Sequence, residues 1–451
     1  MTLNSKADVA TMTESPDASA RKCYNITILS LVFPPDNVST AQLMADLAED
    51  LNARGHRVTV FTTLPHYNHD TVASAAQPMK RRWAGLLYES EYRSMKVYHA
   101  WMPRKGRHVM YRMLTWLGFH FVSTVAAIVK APRPDVVLTP SPPLTIGVSA
   151  WLIARIRGAK FIYNVQEIYP DVAINLGAVR NPWLIRALLM LEQFVYRNAH
   201  AITVISARMR LRLIEKGVPG RKVALIPNFV DTRGFVPLPK DNAFSREHGL
   251  WNKFVVSYAG NMGKPQQLDI LVEAAAHLAD EPRIHFLLMG SGTETDALRQ
   301  LAGAKGLRNV TFLQHQPYAV MPLAYAAMDA CYVPQAMGTS SDGIPSKVYR
   351  ILSSARPVLA CTDACSDLAS LVGEARAGAV VTVADGHLVA NAIRNAVGDE
   401  AAWAQLGRNG RNHVVAKYDR SVVSGRYHRL ICDVVAGKLD MENSGEAGIV
   451  M

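Results

Sequence analysis

Cysteine is scarce in this chain: Cys23, Cys331, Cys361, Cys365 and Cys432 are the five among 451 residues. They are odd in number and unpaired in spacing, which excludes a disulfide framework and fits reduced thiols in a cytoplasmic protein. Cys361 and Cys365 stand four apart without a third or fourth ligand nearby, so no metal site is expected there. No zinc-type Cys/His spacing or RNA-binding signature occurs, and nucleic acid is not an expected partner. No Gly-x-Gly-x-x-Gly follows the first predicted strand and no acidic residue sits at the distance a ribose needs, which argues against a dehydrogenase. Residues 1–22 lack the apolar core of a secretion signal and, being rich in Ser, Thr, Ala and Asp, read as a disordered leader.

What is present is a globular composition, 49% hydrophobic and 19% charged. A chain of 451 residues exceeds one ordinary core, so two domains of roughly 200 residues each are expected. Lys and Arg number 49 against 37 Asp and Glu, a formal charge of +12. That excess invites an anionic partner such as a nucleotide diphosphate, a lipid pyrophosphate or a membrane surface.

Short apolar runs alternate with helical patterns, which predicts an α/β fold of two Rossmann-like doubly wound domains facing across a cleft. The first, residues 23–236, has strands expected at Ile26–Leu31, Arg57–Thr62, Lys96–Ala100, Val136–Thr139, Lys160–Asn164, Ala201–Ile205 and Val223–Ile226. Helices are expected at Thr40–Arg54, Trp183–Asn198 and Ala207–Lys216. Pro237-Leu-Pro239 marks the linker. The second domain, 237–418, has strands at Val255–Tyr258, His285–Met289, Val310–Leu313, Ala330–Val333, Val358–Ala360 and Ala379–Val381. A terminal helix over 419–436 and a mobile tail over 437–451 follow.

The stretch from Phe254 to Pro357 is the most informative. The buried strand Phe254–Tyr258 runs into Ala259-Gly260-Asn261-Met262-Gly263, where glycines permit close approach of backbone to a ligand. The run Ile284–Met289 ends in Gly290-Ser291-Gly292 and leads into a helical pattern over Thr293–Ala304. Strand, glycine turn and helix N-terminus together present free N–H groups and a positive dipole to an anion. Asp342-Gly-Ile-Pro-Ser-Lys-Val-Tyr-Arg350 adds a further helix start, with Pro345 and Ser346 at its mouth. Lys347 falls in the first turn, where a cation opposes the dipole and calls for a compensating anion.

Trp101 to Lys130 combines Arg104, Lys105, Arg107, His108 and Arg112 with the apolar run that starts at Met113. A basic cluster followed by Trp and Phe suits a helix at the head-group boundary of an anionic leaflet, and a buried helix of the first domain is the other reading. The run is interrupted by His120 and too short and impure to span a bilayer.

At Phe33-Pro-Pro-Asp36, Arg54–Phe61, Tyr163-Asn-Val-Gln-Glu-Ile-Tyr-Pro-Asp171, Ile226–Asp231, Gly260–Gly263, Gly290–Gly292, Asn309–Phe312 and Pro345–Tyr349 the chain resembles the retaining GT-B glycosyltransferases of family 4. The likeness is nearest to the bacterial branch of WbuB type that builds surface polysaccharide. It extends from Ile26 to about Leu430, and the order and spacing of the motifs carry it. The resemblance implies a hexosyltransferase that needs no cofactor and no metal. Its donor would be a nucleotide-sugar, UDP-linked, and the sugar an N-acetylated hexosamine or deoxyhexosamine transferred with retention. The acceptor would be a lipid-linked saccharide of O-antigen, capsule or exopolysaccharide. The enzyme would be cytoplasmic and peripheral on the inner face of the plasma membrane, beside polysaccharide-assembly proteins. The terminal helix would cross back onto the first domain.

Carried onto this chain, the resemblance assigns donor and phosphate contacts to Gly260, Asn261, Gly263, Lys264, Gly290, Gly292, Ser346, Lys347 and Arg350. The charge growing on the leaving phosphate is what these groups would stabilise. Asp342 and Arg350 occupy the places of the family's two glutamates. Asp342 can accept from sugar hydroxyls, whereas Arg350 accepts no hydrogen bond and cannot hold a ribose diol; it either grips phosphate or faces solvent. That departure leaves, as the alternative, a catalytically weak GT-B subunit supporting a partner transferase. On the acceptor side stand Asp36, Ser39, Thr40 and His66, with Thr40 read equally as a helix cap or a ligand contact. Glu167 is the candidate for orienting or deprotonating the acceptor hydroxyl, with Asp171 second. His56 is read as structural.

Overall fold

The computed structural model describes residues 23–36, 38–66, 71–102, 109–175, 177–336 and 343–438. The expected leader, Asp342 and the end of the expected tail lie outside the described residues, as do Arg104, Lys105, Arg107 and His108.

The first unit runs β1 (Asn25–Leu29), α1 (Ser39–Ala53), β2 (Arg57–Thr63), α2 (Thr71–Ala76), β3 (Lys80–Arg82), β4 (Leu87–Tyr92), β5 (Met95–Ala100) and α3 (Val109–Lys130). It continues with β6 (Val136–Pro140), α4 (Ile146–Arg157), β7 (Lys160–Val165), α5 (Asp171–Asn175), α6 (Pro182–Asn198), β8 (Ala201–Val204), α7 (Ala207–Glu215) and β9 (Val223–Leu225). The strands form one sheet in the order β3-β4-β5-β2-β1-β6-β7-β8-β9. The core strands read as continuous apolar runs because both faces are covered, as a parallel sheet requires. Helices α3, α4, α6 and α7 cover one face, around Phe119, Ala150, Val195 and Met209. Helix α1 covers the other, around Leu47 and Leu51.

The hairpin of β3 and β4 is an addition to the expected topology. These strands pair antiparallel, β4 against β5, through Arg93 and Ser94 at φ of 45° and 66°. A two-residue turn with positive φ at both positions is ordinarily marked by Asn or Gly, and Arg-Ser carries no such mark.

The second unit comprises α8 (Ala243–Glu247), β10 (Phe254–Asn261), α9 (Asp269–Ala276), β11 (Ile284–Ser291), α10 (Thr295–Ala304), β12 (Val310–Leu313), α11 (Met321–Ala326) and β13 (Ala330–Pro334). It closes with α12 (Lys347–Ser353), β14 (Val358–Cys361), α13 (Asp367–Glu374), β15 (Gly378–Val381), α14 (Gly386–Gly398) and α15 (Glu400–Tyr418). Its parallel sheet has the order β12-β11-β10-β13-β14-β15, so the chain reverses direction beside β10. Ligands bind at such switch points, outside the carboxyl ends of the strands.

Helix α16 (Arg420–Ala436) returns to the first unit, where Val423, Tyr427, Leu430, Ile431 and Val434 are buried among Ile26, Leu47 and Leu51. Arg420 fastens its start by pairing with Asp46, Glu49 and Asp50 of α1 at 3.1, 2.6 and 2.7 Å. His56 Nε2 meets His428 Nδ1 at 2.9 Å, which gives His56 the structural place expected of it. The two units also touch directly, since Gly343, at φ +80°, lies where a Cβ would come within 3.0 Å of Ile205 Cδ1.

Candidate active site

The carboxyl ends of β10 and β11 form the floor of the site. Both strands continue through their glycines rather than turning there: Gly260 pairs with Gly290 in the ladder. The reason is close packing of backbone. A Cβ on Gly290 would stand 1.8 Å from the Gly260 carbonyl oxygen, and one on Gly292 would stand 2.2 Å from that of Met262. These two glycines nest one strand end against the other. At φ of +150° and +141°, Gly260 and Gly290 occupy backbone conformations that L side chains rarely adopt.

The expected row of open N–H groups is partly closed. The Met262 N–H donates to the Ser291 carbonyl at 2.9 Å, and the Gly263 N–H donates to Gln266 Oε1 at 3.0 Å. Asn261 is exposed at the strand end, and Lys264 is exposed in the single 3-10 turn that follows. Helix α10 starts at Thr295, two residues later than expected, and no side chain caps it.

Lys347 is the charge at the centre. Its Nζ lies 3.9 Å from the centroid of the Tyr258 ring and 2.8 Å from the point a Cβ on Gly260 would occupy. The absent side chain of Gly260 is therefore the space in which the ammonium sits. Burial lowers the Lys347 pKa to about 7, and it forms no ion pair among the described residues. A cation over a tyrosine face, without a carboxylate, at the mouth of two strand ends is an arrangement that an anion would complete. Ser346 precedes it at the cap position of α12, with no side-chain cap bond.

Arg350 lies against two aromatic rings. Its guanidinium lies over the rings of Phe235, at 5.6 Å, and Tyr318, at 5.2 Å. It is half-buried between a ring just before the linker and one on the turn that precedes α11. Nothing in the motif spacing announces Phe235 and Tyr318 as its neighbours.

Across the cleft, the structure brings together Asp36 and His66. The His66 N–H donates to both Asp36 oxygens at 3.2 Å, and the ring Nδ1 lies 2.9 Å from Thr63 Oγ1. Ser39 opens α1 and is exposed. The cap position belongs to Val38, without a side-chain bond, so Thr40 lies inside the helix and is not its cap.

Glu167 is half-buried on the loop after β7, with its carbonyl accepting from Ser141 Oγ at 3.3 Å. Beneath it runs a buried amide chain that sequence reasoning missed. Asn228 Nδ2 donates to Gln166 Oε1 at 2.9 Å, Gln166 Nε2 to Asn164 Oδ1 at 2.7 Å, and Asn164 Nδ2 to Tyr427 Oη at 2.8 Å. Through Tyr427 the loop is tied to the returning helix. Asp171 has a different duty from that expected: it pairs with Arg212 at 3.0 Å and with Lys216 at 2.6 Å, beside the buried Glu192. Both its oxygens are engaged in a structural ion cluster. Among the described residues no group of three or more His, Cys, Asp or Glu is arranged to hold a metal ion.

Two facing α/β units, with a lysine that has no ion-pair partner among the described residues beside the switch point of the second, make the two-domain architecture in which a ligand lies at the carboxyl ends of the strands. Residues 40–228 match the glycosyl transferase 4-like domain family and residues 253–399 match glycosyl transferases group 1. The chain belongs to the GT-B glycosyltransferases of this family 4/1 type and is a hexosyltransferase-type enzyme. It is 26% identical over 356 residues to the colanic acid biosynthesis glycosyl transferase WcaI of Escherichia coli K12, covering 77% of this chain and 85% of that one. Among solved structures it resembles sucrose-phosphate synthase from Thermosynechococcus elongatus, with TM-score 0.71, 19% identity and coverage of 92% of this chain and 100% of that one. It also resembles Anabaena HepE in complex with UDP-glucose, with TM-score 0.68, 16% identity and coverage of 90% and 99%.

Proposed function

We propose that this enzyme transfers an N-acetylated hexosamine or deoxyhexosamine from a UDP-linked donor to a lipid-linked saccharide in bacterial surface polysaccharide assembly. It would be of WbuB type and would work, without a metal, at the inner face of the cytoplasmic membrane. The observation that carries the reading is Lys347, whose amine sits against Tyr258 and Gly260 without an ion-pair partner among the described residues. A diphosphate supplies the missing negative charge, and stabilising that charge as it grows is the main catalytic demand of glycosyl transfer. The likeness to WcaI, named for colanic acid biosynthesis, supports the polysaccharide setting, and that to HepE, solved with UDP-glucose, supports a UDP-linked donor.

Lys347 grips the diphosphate, Lys264 adds charge from the exposed turn, and Asn261 and Ser346 offer polar contacts beside it. Gly260, Gly263, Gly290 and Gly292 shape the floor. Asp342 meets the donor sugar. Arg350 holds the Tyr318 face and leaves the ribose diol to other groups. Asp36, Ser39 and His66 line the acceptor wall, and Glu167 orients the acceptor hydroxyl. The anomeric carbon–phosphate oxygen bond breaks as the acceptor oxygen bonds to the same face. The hydroxyl proton passes to the departing phosphate oxygen, which gives retention.

A panel of UDP-, GDP- and dTDP-sugars, read by saturation-transfer NMR, tests the donor assignment. Binding of UDP-sugars alone is expected, and silence with every donor overturns the reading. With a defined acceptor, Glu167→Gln is expected to keep donor affinity and to slow transfer at least tenfold. An inverted anomeric centre in the product would refute the retaining route.

A further inference from the structure

The buried amide chain beneath Glu167 has more order than a packed interior requires. Asn164, Thr203 and Ser141 are closed to solvent, and Asn228, Gln166 and Tyr427 nearly so. Asn164 gives its side-chain oxygen to Gln166, which leaves its amide N–H groups for Thr203 Oγ1 at 2.7 Å and Tyr427 Oη at 2.8 Å. Gln166 in turn accepts from Asn228 and donates to Asn164. The bonds therefore all run one way, from Asn228 toward Tyr427. Turning over either inner amide would set like groups against each other at both of its ends.

The two ends of this chain lie where the polypeptide passes between the units. Asn228 stands on the way out, after β9, and Tyr427 on the way back, inside α16. The two passages are themselves joined: the Val230 N–H donates to the Tyr418 carbonyl at 3.1 Å, and the Arg420 N–H to the Val230 carbonyl at 2.9 Å. In the middle, the Gln166 N–H donates to Ser141 Oγ at 3.1 Å, and Ser141 Oγ donates to the Glu167 carbonyl at 3.3 Å. One buried hydroxyl thus holds the backbone of both loop residues. Docking of α16 does not require the phenol oxygen, because Val423, Leu430, Ile431 and Val434 already bury its apolar face.

We infer that Tyr427 and Asn228 are positioning residues for glycosyl transfer: through Gln166 they set the loop that carries Glu167 against the acceptor. Both are buried and act on substrate only through that loop. An orienting or proton-accepting carboxylate works at hydrogen-bond distance, and a displacement of about 1 Å can cost on the order of a hundredfold in rate. Anchorage at both passages makes the setting of Glu167 depend on how the second unit stands over the first. The inference rests on the reading of Glu167 as the group that meets the acceptor hydroxyl.

Three variants of the full-length chain test it. Tyr427→Phe removes one oxygen and keeps the packing, Asn228→Ala cuts the other end, and Leu430→Val loosens the same helix without touching the amide chain. Transfer is followed from UDP-N-acetylhexosamines to a synthetic prenyl diphosphate-linked monosaccharide. Tyr427→Phe and Asn228→Ala are expected to lower kcat roughly tenfold with the donor KM unchanged, and to lower it no further when Glu167→Gln is already present. Leu430→Val is expected to lose stability and keep kcat. Additive losses in the double variants, or a raised donor KM in the single ones, overturn the inference. Hydrogen exchange at the backbone amides of 164–168, without any ligand, decides separately. It should quicken roughly tenfold in Tyr427→Phe and hold its rate in Leu430→Val, and equal exchange in all the proteins overturns the inference. A wild type that transfers from no donor refutes the transfer reading, while the exchange pattern still decides whether the amide chain sets the loop.

Discussion

Replacing Lys347 by methionine tests the centre of the reasoning, because it removes the charge and keeps much of the length. The ammonium is held over the Tyr258 ring without an ion-pair partner among the described residues, and burial lowers its pKa from 10.5 to about 7. A lysine whose folded pKa lies below its unfolded value makes the unfolded state the better proton binder between those two values. The resulting penalty is complete below about pH 7 and fades as pH rises toward 10.5. A drop of that size sets a ceiling of roughly 5 kcal/mol on the cost of the charged form. Because the residue keeps some exposure, about 2 kcal/mol is the working figure. Lys347→Met should therefore raise stability at neutral pH by about that amount, measured by urea unfolding. It should also weaken UDP binding by roughly ten- to a hundredfold, the worth of one charge-assisted contact.

A second signature is independent of mutation. Above about pH 7 the unliganded amine is neutral, so an arriving diphosphate must draw a proton onto it. The dissociation constant should rise with a slope approaching tenfold per pH unit across that range. Calorimetry at about pH 8 in two buffers of different ionisation enthalpy should register uptake of about one proton. Affinity independent of pH, no proton uptake and unaltered binding in Lys347→Met would together remove Lys347 from the donor site.

Arg420→Ala should detach the start of α16 from Asp46, Glu49 and Asp50, costing roughly 2 kcal/mol, read by urea unfolding. His99, fully buried with Ser90 Oγ at 2.8 Å, has a pKa lowered to about 4 by burial. The unfolded chain then binds the extra proton, so stability should fall as pH drops from 6.5 to about 4, and His99→Gln should flatten that slope in pH-dependent unfolding. Gly290→Ala should prevent folding of the second unit, since its Cβ would lie 1.8 Å from a carbonyl oxygen, and soluble yield with circular dichroism reports it. Gly303→Ala, on α10 with nothing within 4 Å, should instead stabilise by about 0.5–1 kcal/mol in thermal melts.

The alternation of apolar runs with helical spacing determined the two α/β units by itself, because a parallel strand buried on both faces must be written in continuous apolar residues. So β10, β11, β13 and β14 were legible, and so was Lys347 in the first turn of α12. The edge hairpin was not, since Leu87–Tyr92 mixes Glu with Leu and Tyr, and its turn uses Arg93 and Ser94 at positive φ. Only the tertiary structure decided which groups meet. Asp36 and His66 lie 30 residues apart, Arg420 and Asp46 are separated by 374, and Arg350 rests on the rings of Phe235 and Tyr318. Local spacing records the period of an element and the residues at its ends. It carries no record of which distant side chain arrives opposite, since that depends on how whole sheets and helices pack; the need of Lys347 for an anion could be read locally, whereas its place over Tyr258 in the space left by Gly260 could not.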